Sequence, residues 1–344
     1  SEFVYPYGVT VLKSEDGKST RKVYVSCWNT ATVAVVDQDS QANKVKHITV
    51  ANHPTAMLLS DSGKRLYVVN SGADSVSVID TKIDTEVERI DTRLQEKIDV
   101  VGNSPESLAL SADGGTLYVA NSHSNSVAVV NLSPKARGGE GVAADGGGDR
   151  SKVQGFIPTG YYPSALALVD GTLFIANGKG TGFENSSTTV SNTGMSPNTP
   201  NAAFPPGRAL GGQYILSLIS GNISAVAVPD QGQLAAYTRQ VMENNGMLQA
   251  QKKSLFDGPS RIKHVIYIIR ENRSYDQVFG DIAKAGDGEA ADGESKLAIF
   301  GDSETARRPR GPEQRITPNA HALALRFGLM DRFFVNSEAS PDGH

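Results

Sequence analysis

Apolar and polar residues alternate in short runs through most of the first 230 positions, with turn residues between the runs. SVSVID (75–80) alternates strictly, which predicts a strand with one core-facing side. LYVVN (66–70) opens with an aromatic and is almost wholly apolar, which predicts an inner strand covered on both faces. SDSG and SADGG separate the first two strands of two successive units, and Asp and Gly favour such turns. The next turns, NSGAD and NSHSN, use small polar residues that tolerate unusual dihedral angles.

The pattern repeats. HPTAMLLSDSGKRLYVVNSGADSVSVIDTK (53–82) has a near copy in SPESLALSADGGTLYVANSHSNSVAVVNLS (104–133). Looser copies are YPSALALVDGTLFIANGKG (162–180) and YPYGVTVLKSEDGKSTRKVYVSCWNTATVAVVD (5–37). Tyr24, Tyr67, Tyr118 and Phe174 fall at matching places, 43, 51 and 56 residues apart. That spacing lies at or just above the period of propeller blades. Units at 5–50, 51–100, 101–160 and 161–217 are expected to be four-stranded blades with these aromatics packed inward. A weaker fifth unit is NISAVAVPD, 222–230. The fold class is therefore mostly β: a β-propeller over residues 1–230, with about five blades visible and seven when complete. Two insertions, 133–152 and 181–212, are rich in small and polar residues and are expected to be surface loops.

Beyond residue 230 the character changes. PDQGQLAAYTRQVMENNGMLQA (229–250) has Leu234, Tyr237, Val241 and Leu248 near one face, which predicts a helix inside a helix-and-linker stretch, 231–260. KHVIYIIREN (263–272) is a continuous apolar run ending in Glu271 and Asn272, which predicts a central strand of an α/β sheet. Chemistry gathers beyond the carboxyl ends of such strands, and Glu and Asn oxygens can hold a divalent cation. An ordinary strand end is the competing reading of the same residues. Ser274, Tyr275 and Asp276 read as a helix start with Phe279 packing beneath.

Composition adds exclusions. A net charge of −4 gives no footprint for nucleic acid, and no apolar run reaches the length of a membrane span. The single cysteine, Cys27, allows no disulfide within the chain and is expected in the core. Acidic, Gly-rich DIAKAGDGEAADGES (281–295) lacks the regular calcium-loop pattern and is expected to be a surface loop.

KHVIYIIRENRSYDQVFG closely resembles the entry motif of the phosphoesterase family that includes bacterial phospholipases C and acid phosphatases, in the alkaline-phosphatase-like superfamily. TPNAHALALRFGLMDRFFVNSEASPDGH (317–344) resembles that family's helix and nucleophile loop, and the Tyr-Val-x-Asn repeats resemble surface-layer or YVTN-type propellers. The resemblance implies that residues 261–344 are the incomplete start of a metal-dependent α/β phosphoesterase domain. It implies Glu271, Asn272 and Ser340 as ligands of a divalent metal of unknown identity. It also implies Ser340 as nucleophile, Asn272 as a phosphate contact and His344 as a hydrogen-bond donor or general acid. The expected partner is a phosphate ester, and the expected location is outside the cytoplasm, in periplasm, envelope or secreted material.

The match departs from the family pattern in its acidic ligands, which come from later sequence. The expectation is therefore that residues 1–344 alone are a poor phosphoesterase, completed by missing segments or a second chain. Two other readings stand beside it: a surface binding or display protein whose propeller is the working part, and an assembly subunit built from a split or truncated enzyme.

Overall fold

A computed structural model describes residues 4–38, 45–94, 102–139, 150–180, 221–248, 262–270, 273–307, 309 and 311–332. The chain divides into two compact units, Ser1–Thr189 with Leu218–Lys252, and Val190–Ser217 with Lys253–His344.

The first unit is built of four antiparallel sheets in sequence order. The first holds β1 (Pro6–Lys13), β2 (Thr20–Cys27), β3 (Thr32–Asp37) and β4 (Lys46–Thr49). The second holds β5 (Pro54–Leu59), β6 (Arg65–Asn70), β7 (Ser75–Asp80) and β8 (Thr85–Asp91). The third holds β9 (Pro105–Leu110), β10 (Thr116–Asn121), β11 (Ser126–Asn131) and, after the short helix α1 (Pro134–Arg137), β12 (Lys152–Pro158). The fourth holds β13 (Pro163–Val169), β14 (Thr172–Asn177) and β15 (Asn222–Ala227). The first strands β1, β5, β9 and β13 pack on one another in turn, as the innermost strands of propeller blades do.

This corrects the expected blade count. NISAVA is the third strand of blade four, paired in full register from Thr172↔Ala227 to Asn177↔Asn222. The long insertion separates two hydrogen-bonded neighbours of one sheet, so the described residues form four blades rather than five.

The second strand of each blade alternates between its two neighbours. Leu66 and Val68 of β6 pack back on Tyr24, Val33 and Val35 of blade one. Tyr67 and Val69 pack forward on Leu117, Val119 and Phe156 of blade three. A strand between two blades therefore has no polar face, and each buried large side chain contributes about 1.5–3 kcal/mol. Tyr24, Tyr67 and Tyr118 are buried as expected. Phe174 holds the matching register position but is 39% exposed, because no described residue packs on the far face of blade four. Val9 on β1 and Ile223 on β15 are exposed for the same reason at the two ends of the arc.

The tyrosine hydroxyls reach into the following blade. Tyr24 donates to Asp84 Oδ1 at 3.0 Å, and Tyr67 donates to the carbonyl of Ala136 in α1 at 2.9 Å. The segment after Ser133, expected to be loop throughout, thus begins with a helix that the Ser133 side chain caps. Helix α2 (Gln231–Asn244) forms where the amphipathic pattern predicts it, with Asp230 as its N-cap. It buries Leu234 and Val241 against blade three, and the Phe156 amide on β12 donates to Thr238 Oγ1 at 2.9 Å. The outer edge of that blade is covered as a result.

In the second unit the described elements are α3 (Tyr275–Phe279), a 3-10 turn at Ser295–Leu297, the small hairpin β16 (Thr305–Arg307) with β17 (Glu313–Arg315), and α4 (Pro318–Phe327). The central strand expected at 263–272 is not observed. Residues 262–270 belong to no strand, and Val265, Ile266, Tyr267, Ile268 and Ile269 are 61–86% exposed. Composition supplies the apolar faces, but a strand exists only when a neighbour pairs with its backbone, and no described segment does so. The alkaline-phosphatase-like α/β sheet is likewise not seen among the described residues.

Candidate functional site at the blade-entry bulges

Every blade opens with proline: Pro6, Pro54, Pro105 and Pro163. Each proline pairs with the last residue of the second strand, namely Cys27, Asn70, Asn121 and Asn177. Immediately afterwards the register slips in all four blades, between Pro6 and Val9, Pro54 and Met57, Pro105 and Ser107, and Pro163 and Ala165. A bulge of this kind bends a strand and re-aims a side chain, and bulges are enriched beside active sites. The residues following the prolines are Tyr7, Thr55, Glu106 and Ser164, three hydroxyls and a carboxylate at one equivalent position.

The residue before each of the last three prolines is also unusual. His53, Ser104 and Tyr162 have φ of 54°, 46° and 60°. Such angles are costly for side chains with a Cβ, and surrounding structure must hold them. Their carbonyls accept from Ser71, Ser122 and Gly178 at 2.9, 3.0 and 2.8 Å. From the other side, Asp74 accepts backbone N–H bonds from Gly102, Asn103 and Ser104. Asn125, at the corresponding place one blade on, accepts from the Tyr162 amide at 2.9 Å. Blade one has Ala31 there. The His53 ring instead stacks on Trp28 at 3.8 Å, and a side chain at Gly72 would collide with it.

Burial, and then the Glu106 carboxylate, push the Tyr7 phenol above its ordinary value. Tyr7 therefore stays a neutral hydrogen-bond donor, and Glu106, half-buried, lies within its field. Ser104 Oγ donates to Glu106 Oε1 at 3.2 Å. A carboxylate can act as a base and a phenol as a hydrogen-bond donor, and the two stand at equivalent positions of blades three and one. Sequence reasoning missed this set. Its one signal is the alignment of PYG, PTA, PES and PSA at the blade starts, where the chemistry varies and no fixed motif stands out.

Glu271, Asn272, Ser340 and His344 all lie outside the described residues. Around them, Ser274 does begin a helix, in a capping box with Gln277. Arg273 sits over the Phe300 ring, 4.9 Å from its centroid. His321 is buried on α4, its Nε2 2.9 Å from Asp281 Oδ1 and its Nδ1 3.0 Å from the Thr317 carbonyl. Asp281 also accepts from the Asp302 amide, so this pair ties helix to loops. A cavity of about 580 Å³ beside it is lined by apolar groups such as Phe279, Leu323 and Phe327, with the Tyr275 phenol. Among the described residues no cluster of three or more His, Cys, Asp or Glu is placed to hold a metal. No described helix is long and apolar enough to cross a membrane.

Residues 20–150 match the family described as lactonase, 7-bladed beta-propeller. The match covers β2 to the end of α1, and so includes Thr55 and Glu106. Among solved structures, hydrazine synthase of Kuenenia stuttgartiensis is 26% identical, with a TM-score of 0.38, over 52% of this chain and 43% of that one. A protein assigned as a 6-phosphogluconolactonase of Bacteroides uniformis is 14% identical at TM-score 0.38, over 51% and 48%. The periplasmic gluconolactonase of Pseudomonas aeruginosa is 21% identical at TM-score 0.33, over 46% and 41%. The chain spans less than half of each of these structures. No curated protein matches.

The family match overturns the expected function. The sequence reading made the propeller a scaffold or binding module for metal-dependent phosphoester hydrolysis. The matched family is described as lactonases with a seven-bladed propeller, and nothing found supports a fused phosphoesterase domain.

Proposed function

We propose that the propeller hydrolyses a lactone, the cyclic ester of a sugar acid, at the blade-entry bulges. The lactonase family match over residues 20–150 is the observation that carries this reading. The bulge residues supply suitable chemistry. Glu106 takes a proton from water as the water oxygen bonds to the lactone carbonyl carbon. The Tyr7 phenol donates to the carbonyl oxygen as it gains charge. The bond from that carbon to the ring oxygen then breaks, and the proton held by Glu106 passes to the departing alkoxide. The products are one carboxylic acid and one hydroxyl group. Thr55 and Ser164 belong to the same ring of positions, and exposed Ser164 offers its hydroxyl to a polyol.

The test is acid release from δ-gluconolactone and from 6-phosphogluconolactone by the purified protein, against the spontaneous rate. Glu106→Gln is expected to lower kcat by about 100-fold or more, the scale of a lost general base. Tyr7→Phe is expected to lower kcat while leaving the fold intact. Wild-type protein that leaves both lactones at the spontaneous rate would overturn the reading.

A further inference from the structure

Asn70, Asn121 and Asn177 close the second strands of three consecutive blades, each opposite the blade-opening proline. Their side chains are buried, at 0, 0 and 1% exposure. Each Nδ2 has a partner. Asn70 donates to Ser75 Oγ and Ser77 Oγ, Asn121 to the Thr92 carbonyl, and Asn177 to Asn222 Oδ1 and Ser224 Oγ. Each Oδ1 is buried and accepts nothing from the described residues. The Thr55 hydroxyl, one residue along from Pro54, is buried and unpartnered in the same way.

A buried polar atom left without a partner is destabilising. Three at one equivalent position mark a built feature of the repeat. Exchanging the amide oxygen and nitrogen does not remove it. At Asn121 the exchange sets the oxygen against the Thr92 carbonyl oxygen, and at Asn70 and Asn177 it moves the unmet group from the acceptor to the donor. The bulge beside each asparagine also takes one residue's backbone groups out of the ladder. Each site thus offers a buried amide acceptor, joined in blade two by the Thr55 hydroxyl, and no carboxylate faces the orphaned oxygens through a described hydrogen bond. That is the environment of a buried water, which makes about three hydrogen bonds to otherwise unmet groups.

We infer that each of these three bulges encloses one ordered water that donates to the asparagine Oδ1. In blade two it also bonds the Thr55 hydroxyl. The waters brace the bulges, and so fix the aim of the residues that follow the prolines. In blade three that residue is Glu106, which Asn121 and its water position without touching a substrate. Blade one is an internal control: Cys27 stands opposite Pro6, offers no amide oxygen, and holds no such water.

A crystal structure of the full chain, at a resolution that shows individual waters, decides the matter. The expected density is one water within hydrogen-bond distance of Oδ1 at Asn70, Asn121 and Asn177, and none opposite Pro6. Asn121→Leu, similar in size, is expected to lose the blade-three water alone. Dry pockets, amides bonded to protein groups, or the same water beside Cys27 would overturn the inference. The wild-type density suffices if the variant does not fold. The effect on catalysis rests on the lactonase reading: Asn121→Leu is expected to lower kcat several-fold with KM little changed, and Asn121→Gln to restore part of it. If wild-type protein opens no lactone, that reading fails while the density still judges the waters.

Discussion

Tyr67 shows how much one side chain carries. Its ring is fully buried between blades two and three, and its hydroxyl donates to Ala136. Burial is the main cause that pushes its phenol up to about 12, with the Glu88 carboxylate adding to it against nearby arginines. The folded state therefore holds this proton more tightly than the unfolded chain, whose tyrosines ionise near 10. The contribution to stability is complete below pH 10 and is lost as the pH rises from there through about 12, a span worth about 2–3 kcal/mol. Tyr67→Phe is expected to cost about 1 kcal/mol at neutral pH through the lost hydrogen bond, and to flatten the alkaline fall. Urea unfolding between pH 8 and 12 measures both effects. A variant whose alkaline fall matched the wild type would assign that fall to other groups. The inward place of Tyr24, Tyr67 and Tyr118 was legible in the sequence, because a repeated aromatic in an apolar strand has few other places to go. The partners of their hydroxyls were not legible, since Asp84 and Ala136 lie 60 and 69 residues away.

At the scale of elements, what was legible depended on whether a segment's neighbours are close in sequence. Hairpins within a blade are local, so strands of blades one to three follow their alternation and turns. Blade four hides its third strand 45 residues beyond its second, from Asn177 to Asn222, and no local pattern shows that pairing. The run at 263–272 failed in the opposite sense, because its composition is that of a strand while its edges have no described partner. The bulge residues escaped notice because a bulge is a relation between two strands rather than a property of either. Helix α2 was legible from its period, but its role as an edge cover was not. Thr238 accepts the Phe156 amide while also donating to the Leu234 carbonyl within its own helix. Thr238→Val keeps the shape and removes the acceptor, so it is expected to cost about 1–3 kcal/mol. Hydrogen exchange should show the Phe156 amide losing protection. Unchanged protection there would mean that the helix does not guard the edge.

On the scale of the whole molecule, a departure from ordinary surface chemistry among the described residues is Val265–Ile269, five consecutive apolar residues that are exposed. Contiguous apolar exposure of this kind favours association. The double substitution Ile266→Asp with Ile268→Asp is expected to raise the concentration at which the protein stays monodisperse and to lower its binding of a hydrophobic dye. Light scattering and dye fluorescence read these outcomes, and no change in either would show that the segment is covered in solution.

The hydroxyls of Tyr24 and Tyr67 give the blades a direction. Blade one reaches into blade two, blade two into blade three, and Phe174 in blade four carries no hydroxyl with which to continue. In these two joints the tyrosine donor lies on one blade and its acceptor on the next, so for this contact a blade grips its successor through different atoms from those that hold its predecessor. Pulled from its two ends, such an arc is expected to yield one joint at a time, and the order of yielding should differ between wild type and Tyr67→Phe, whose second joint is weaker. A force-extension trace would then read the joints as separate steps, because mechanical load, unlike heat or denaturant, distinguishes the two sides of a blade.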